Sequence, residues 1–172
     1  MLRSHRSQQP KLGNRTWIAE NAIVIGDVEV GDDSSIWFGT VIRGDVHSIR
    51  IGARTNIQDN CTLHVTSGRH DVVIADEVTI GHGVIAHGCH IDRGALIGMG
   101  SRILDGAHVG QLALVGAGAL VSEGMTVPPR TLVVGVPAKI KRDLTAEELE
   151  RLESSWKHYV ELKDIYLQEA GS

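Results

Sequence analysis

Three histidines, His82, His87 and His90, crowd into residues 80–91, and a fourth, His64, stands upstream in Thr62-Leu63-His64-Val65. Neutral imidazole is the commonest side chain on catalytic zinc, and such sites often combine three protein ligands with a water. A metal held that way lowers the pKa of its water toward about 7 and supplies hydroxide at neutral pH. Whether three of these side chains can reach one ion depends on the elements that carry them.

Those elements form a repeat. Aliphatic residues recur every six positions through Leu12, Ile18, Val24, Val30, Ile36 and Ile42, and resume at Ile51, Ile57 and Leu63. They continue at Ile74, Ile80, Ile85, Ile91, Ile97 and Ile103, then at Val109, Val115, Val121, Val127 and Val133. A small residue commonly stands four positions later, as at Ala22, Ser34, Thr55, Cys61, Cys89, Ala95 and Ser101. This is the hexapeptide signature of a parallel β-helix, in which three hexapeptides make one triangular coil. The aliphatic side chain fills the axis, and the small residue lets the chain turn a corner. The expected fold is therefore all-β, a parallel β-helix over residues 1–143, with 1–10 as a flexible lead-in.

The period breaks at residues 42–50, 63–73 and 80–84, the first two too long and the third one residue short. Insertions in a solenoid are expected to leave the prism as loops. All three irregularities lie beside the histidines.

Calling the prism faces A, B and C, Ile57 falls on A, Leu63 on B, Ile74 on C, Ile80 on A and Ile85 on B. His64 and His87 then share face B, one coil apart. Parallel strands of adjacent coils lie about 4.8 Å apart, so this pair can share a metal. His82 points off face A, so a site using all three needs two chains. A heterologous contact of that kind can close into a ring, and a triangular prism suggests a trimer with three sites. Arg43 and Asp45 fall on face B one coil before His64, while Gln58 and Asp59 fall on face A one coil before His82. His90 reads as a turn residue or a partner to a ligand, and His47, His70, His108 and His158 as solvated.

Past Pro137 the repeat ends. Thr145 and Glu148 form a capping box that starts a helix within residues 144–172. Leu149, Leu152, Trp156, Tyr159, Leu162 and Tyr166 follow at helical spacing, a stripe expected to pack along this prism or a neighbouring one. The rest of the composition excludes more than it identifies. A net charge of −4 with no basic tract argues against nucleic acid as a partner. No apolar run suffices for a bilayer, and the first ten residues lack the apolar core of a signal peptide. Cys61 and Cys89 form no disulfide framework and read as buried free thiols in a cytoplasmic protein.

Arg43-Gly44-Asp45, Asn56-Ile57-Gln58-Asp59, Leu63-His64, Gly81-His82 and Ala86-His87-Gly88-Cys89 together resemble the gamma-class carbonic anhydrases. Val134-Gly135-Val136-Pro137-Ala138-Lys139 is similar to the segment that closes the β-helix in many bacterial members. The resemblance implies a left-handed β-helix and a homotrimer that interconverts CO2 and bicarbonate. It implies Zn2+, or in some members Fe2+ or Co2+, held by His64 and His87 of one chain and His82 of the next. It further implies that Arg43 pairs across the interface with Asp59, and that Gln58 and Asn56 hold water and substrate, with Asp45 in the same catalytic set. The glutamate shuttle of the prototype has no counterpart, since Val46 follows Asp45 and the 65–71 loop has no glutamate; His70 or His47 could carry the proton. Two other classes fit the same residues: a metal-dependent thioesterase and a non-enzymatic metal-binding scaffold.

Overall fold

The computed structural model describes residues 1–170 of the chain; Gly171 and Ser172, the end of the expected helical segment, lie outside them. It is a parallel β-solenoid of about seven turns closed by one C-terminal helix. Face A stacks the short strands Trp17–Ile18, Ser35–Ile36, Asn56–Ile57, Thr79–Ile80, Leu96–Ile97 and Leu114–Val115 in parallel register. Face B carries Thr62–His64, Ile85–His87, Arg102–Ile103 and Leu120–Val121. Face C carries Val72–Ile74, His90–Ile91, His108–Val109 and Thr126–Val127. Two longer strands, Ile23–Val30 and Val41–Ile51, turn the corner from B to C without a break.

The axis is filled by one aliphatic residue per strand, such as Ile57, Leu63 and Ile74 in a single coil, all buried. Burying one such side chain is worth roughly 1.5–3 kcal/mol, so a coil of three anchors itself on its neighbours without aromatics. The thiols of Cys61 and Cys89 sit buried at corners, and burial pushes both up to about 12, so they stay protonated packing groups.

Three expectations need correction. Ala86, not Ile85, points into the axis: Ala86 is 0% exposed and pairs with Leu63, while Ile85 is 38% exposed. The short segment is therefore 86–91, which begins one residue before His87, not 80–84. The pleat decides this, because successive side chains alternate sides and one residue of slip inverts them. The insertion at 42–50 is not a free loop. It runs inside the strand Val41–Ile51, whose register against Ile23–Val30 shifts after Gly26. Residues 1–10 are not a free lead-in: Leu2–Arg3 extends the sheet at Val24–Ile25, and His5 bridges Gln8. Unpaired backbone at the end of a stack is satisfied by whatever strand lies next to it.

The helix Ala146–Ala170, here α1, opens on the expected capping box. The Glu148 amide donates to Thr145 Oγ1 (3.2 Å), and the Thr145 amide to Glu148 Oε2 (2.9 Å). The apolar stripe lies on this chain's own face A, over strands Trp17–Ile18 to Thr79–Ile80. Trp17, Trp37 and Phe38 meet Tyr159 and Tyr166 there, with Trp17–Tyr166 centroids 4.8 Å apart and Trp37–Tyr159 5.3 Å. Lys163 on the same helix is fully buried and donates to Asp33 (2.9 Å). No described helix is long and apolar enough to cross a membrane.

Candidate functional site

His64 and His87 are direct partners on adjacent strands of face B. Each follows an axial residue by one position, Leu63 and Ala86, so the pleat turns both outward on the same side. Their rings meet with centroids 5.1 Å apart, and Nδ1 of His64 stands 3.0 Å from Nε2 of His87. The outer nitrogen of each is engaged by a carboxylate. His64 Nε2 lies 3.1 Å from Asp45, and His87 Nδ1 lies 2.5 Å from Asp105.

Sequence pattern alone does not mark Asp105. One coil is 17 residues here, since Ala86 pairs with Ile103, so Asp105 lies opposite Gly88, the residue after His87, and that spacing is the available signal. Gly88 makes room for it. A Cβ built on Gly88 would collide with the Asp105 carboxylate, and its φ of 53° lies in the left-handed region that favours glycine. Thr66, on the 65–71 turn, donates to the other oxygen of Asp105 (2.5 Å).

Burial disfavours the charged forms of His64, Asp45 and Asp105. It lowers the pKa of His64, with Asp45 opposing, so the ring tends to its neutral, ligand-competent form. Burial works against the Asp45 carboxylate as well. The hydrogen bonds from Arg43 and His64 and the Arg43 charge outweigh it, and Asp45 ends below its ordinary range. Asp105 behaves in the same way, with Thr66 and His87 outweighing burial.

His82 stands apart, at the corner after strand Thr79–Ile80, with its side chain 45% exposed. Its Nδ1 lies 2.6 Å from Asp59, one coil below. Among the described residues, no group of three or more His, Cys, Asp or Glu side chains is arranged to hold a metal ion. The chain thus brings His64 and His87 together and leaves His82 separate. Arg43 pairs with Asp45 (2.5 Å), on a different face from Asp59. Pairing with a carboxylate does not by itself mark a ligand, because His90–Asp71 and His108–Asp92 do the same at 2.9 Å. Converging rings distinguish His64 and His87.

Beside His82, a cavity of about 370 Å³ runs along face A beyond the helix contact. Gln58, Thr79 and Ser155 line it with Leu96, Ile97, Met99 and Leu114. Asn56 is buried behind Gln58, which donates to it from Nε2 to Asn56 Oδ1 (3.1 Å). Tyr159 of α1 is close enough to Asp59 to feel its charge. Burial first, and Asp59 second, raise the Tyr159 pKa.

A family model described as bacterial transferase hexapeptide (six repeats) matches residues 9–44. A protein of Geobacillus kaustophilus named "Carbonic anhydrase" is 46% identical over 96% of this chain and 91% of its own length. "Gamma carbonic anhydrase 2, mitochondrial" of Arabidopsis thaliana is 42% identical over 94% of this chain and 60% of its own length. The chain belongs to the gamma-class carbonic anhydrase family. Family members bearing that name are lyases. The fold is shared more widely. A crystal structure titled as a hexapeptide transferase family protein, from Anaplasma phagocytophilum, superposes with TM-score 0.93 at 40% identity over 96% of this chain and 98% of that one.

Proposed function

We propose that this protein hydrates CO2 reversibly to bicarbonate at a divalent metal shared between two copies of the chain, in a homotrimer. The observation that carries the reading is the His64–His87 pair, with outer nitrogens engaged by Asp45 and Asp105. Metal-bound histidines usually engage their second nitrogen in this way, which fixes the ring and raises its basicity. Two nitrogens on one tetrahedral zinc stand about 3.3 Å apart, close to the 3.0 Å between these two. An all-imidazole donor set suits Zn2+, with Fe2+ or Co2+ as alternatives. His82, held by Asp59, supplies the third donor from a neighbouring face A.

When bound, such a metal lowers the pKa of a water and provides hydroxide at neutral pH. The chain's own residues do the rest. Gln58 orients water in the cleft, and Asn56 braces Gln58. Arg43, anchored on Asp45, places a positive charge at the edge of face B that favours an anionic product. The apolar cavity next to His82 favours a second reading, a metal-dependent thioesterase that seats an acyl chain there.

Metal analysis and a stopped-flow CO2 hydration assay on protein purified without oxygen test the proposal. The native protein should hold about one metal per chain and hydrate CO2. His64→Ala, His82→Ala and His87→Ala should each lose most of the metal, and His90→Ala should keep it. Equal metal in all four variants, or a monomer mass by light scattering, refutes the shared site. Acyl-CoA turnover without CO2 hydration selects the second reading.

A further inference from the structure

Gln58 is joined to helix α1 by a continuous chain of hydrogen bonds. Gln58 Nε2 donates to Asn56 Oδ1 (3.1 Å), and Asn56 Nδ2 donates to Thr79 Oγ1 (3.1 Å). The Thr79 hydroxyl donates to Ser155 Oγ of α1 (3.3 Å). Asn56, Gln58 and Thr79 are all buried, and Asn56 and Thr79 are direct partners on face A.

The direction of this chain is not arbitrary. Asn56 Nδ2 also approaches the Val78 carbonyl (3.4 Å), a group that can only accept. That contact fixes which end of the Asn56 amide is nitrogen, so Oδ1 must face Gln58. Gln58 answers with Nε2, and its Oε1 is left over. No described donor reaches Oε1, and among the described residues no buried side-chain oxygen lacks a partner, so Oε1 opens to the cavity that Gln58 lines with His82.

We propose that Thr79 and Ser155 are positioning residues: acting through Asn56, they hold Gln58 with its carbonyl oxygen, not its amide nitrogen, toward the cleft. The inference rests on the proposed hydration reaction for its consequence, not for its geometry. An acceptor at this point takes a hydrogen from a cleft water and leaves the lone pairs of that water free for CO2. A turned amide would present N–H and occupy those lone pairs. Unsupported amides turn readily, because the two ends have nearly the same shape. Helix α1 thus contributes to the reaction without touching it.

The test uses the full chain and three variants. Thr79→Val keeps the shape and removes the hydroxyl, Thr79→Ser restores the hydroxyl, and Ser155→Ala removes the helix end of the relay while favouring the helix. Hydrogen exchange of the Asn56 and Gln58 side-chain amides, followed by 15N NMR, reads the relay independently of activity. Exchange should quicken about tenfold or more in Thr79→Val and about threefold in Ser155→Ala, and return to the native rate in Thr79→Ser. In Thr79→Val, kcat should fall about tenfold while KM and metal content stay at native values. Native amide exchange in Thr79→Val, or no recovery in Thr79→Ser, overturns the relay. If the amides loosen as expected but the native protein does not hydrate CO2, the relay stands and the proposed reaction falls.

Discussion

Mixed trimers offer a quantitative test of how the histidines are distributed. His64 and His87 lie on face B and His82 at the end of face A, so in the proposed trimer every shared cleft would draw its ligands from two chains. Consider equal amounts of a His82→Ala chain and a His87→Ala chain, refolded together. A cleft is intact when face B comes from the first and face A from the second. Random assembly meets that condition with probability one half times one half, so about a quarter of clefts should regain three histidines. Metal content should recover to about a quarter of native, and any CO2 hydration with it, while each variant alone stays empty. The matching mixture of His64→Ala and His87→Ala should recover nothing, because both changes damage face B. Metal analysis on the re-isolated trimer reads both numbers. Equal recovery in the two mixtures would mean that the three histidines are not divided between faces as described.

Two further expectations concern α1. Lys163→Ala should destabilise the protein by about 3 kcal/mol, since Asp33 and Asp164 lose a buried cation and keep only Arg15. Denaturant unfolding followed by tryptophan fluorescence measures this, and a loss below about 1 kcal/mol would show that Arg15 suffices. The Arg142 hydrogen bonds, with the Thr145 amide, hold the Glu148 carboxyl down at about 2. A carboxylate depressed by folding stabilises above its unfolded pKa and loses that contribution as pH falls through the folded one. The stability gap between native protein and Glu148→Gln should therefore be constant above about pH 5 and close between there and about pH 2. A gap independent of pH would remove the carboxylate from the cap.

The coil itself was legible because its signal is redundant. A buried aliphatic at every sixth residue leaves one architecture, and the helix announced itself through Thr145, Glu148 and a 3.6-residue stripe. Ile85 shows where that reading fails. Both Ile85 and Ala86 can fill an axis position, and hydrophobicity favoured the larger. The pairing of Ala86 with Leu63 reversed the choice, which a single sequence does not display. The placement of His64 beside His87 is the same under either choice, because both stay on face B. Asp105, Thr79 and Ser155 went unread for a different reason. Their types are ordinary for corners, strands and helix surfaces, and their meaning comes from which coil or helix turn lies opposite. Lys163 lies on the buried stripe itself, four residues after Tyr159 and three before Tyr166, and only its charged type conceals that burial.

Helix α1 works as a gauge of how many coils the prism has. Leu144, just before it, donates its amide to the Arg130 carbonyl, and Lys163 reaches Asp33. Arg130, Leu112, Gly94, Glu77, Arg54 and Asp33 occupy one corner column with positive φ, each a coil from the next. Five coil steps of about 4.8 Å make about 24 Å, and the helical rise from Ala146 to Lys163 is about 26 Å. A coil and a helical turn, about 4.8 and 5.4 Å, are nearly commensurate. A descendant that gained or lost one coil beyond the histidines could therefore keep both ends of the strut fastened by gaining or losing one helical turn. Change in one without the other would release Lys163 from Asp33, so the two lengths are bound to vary together.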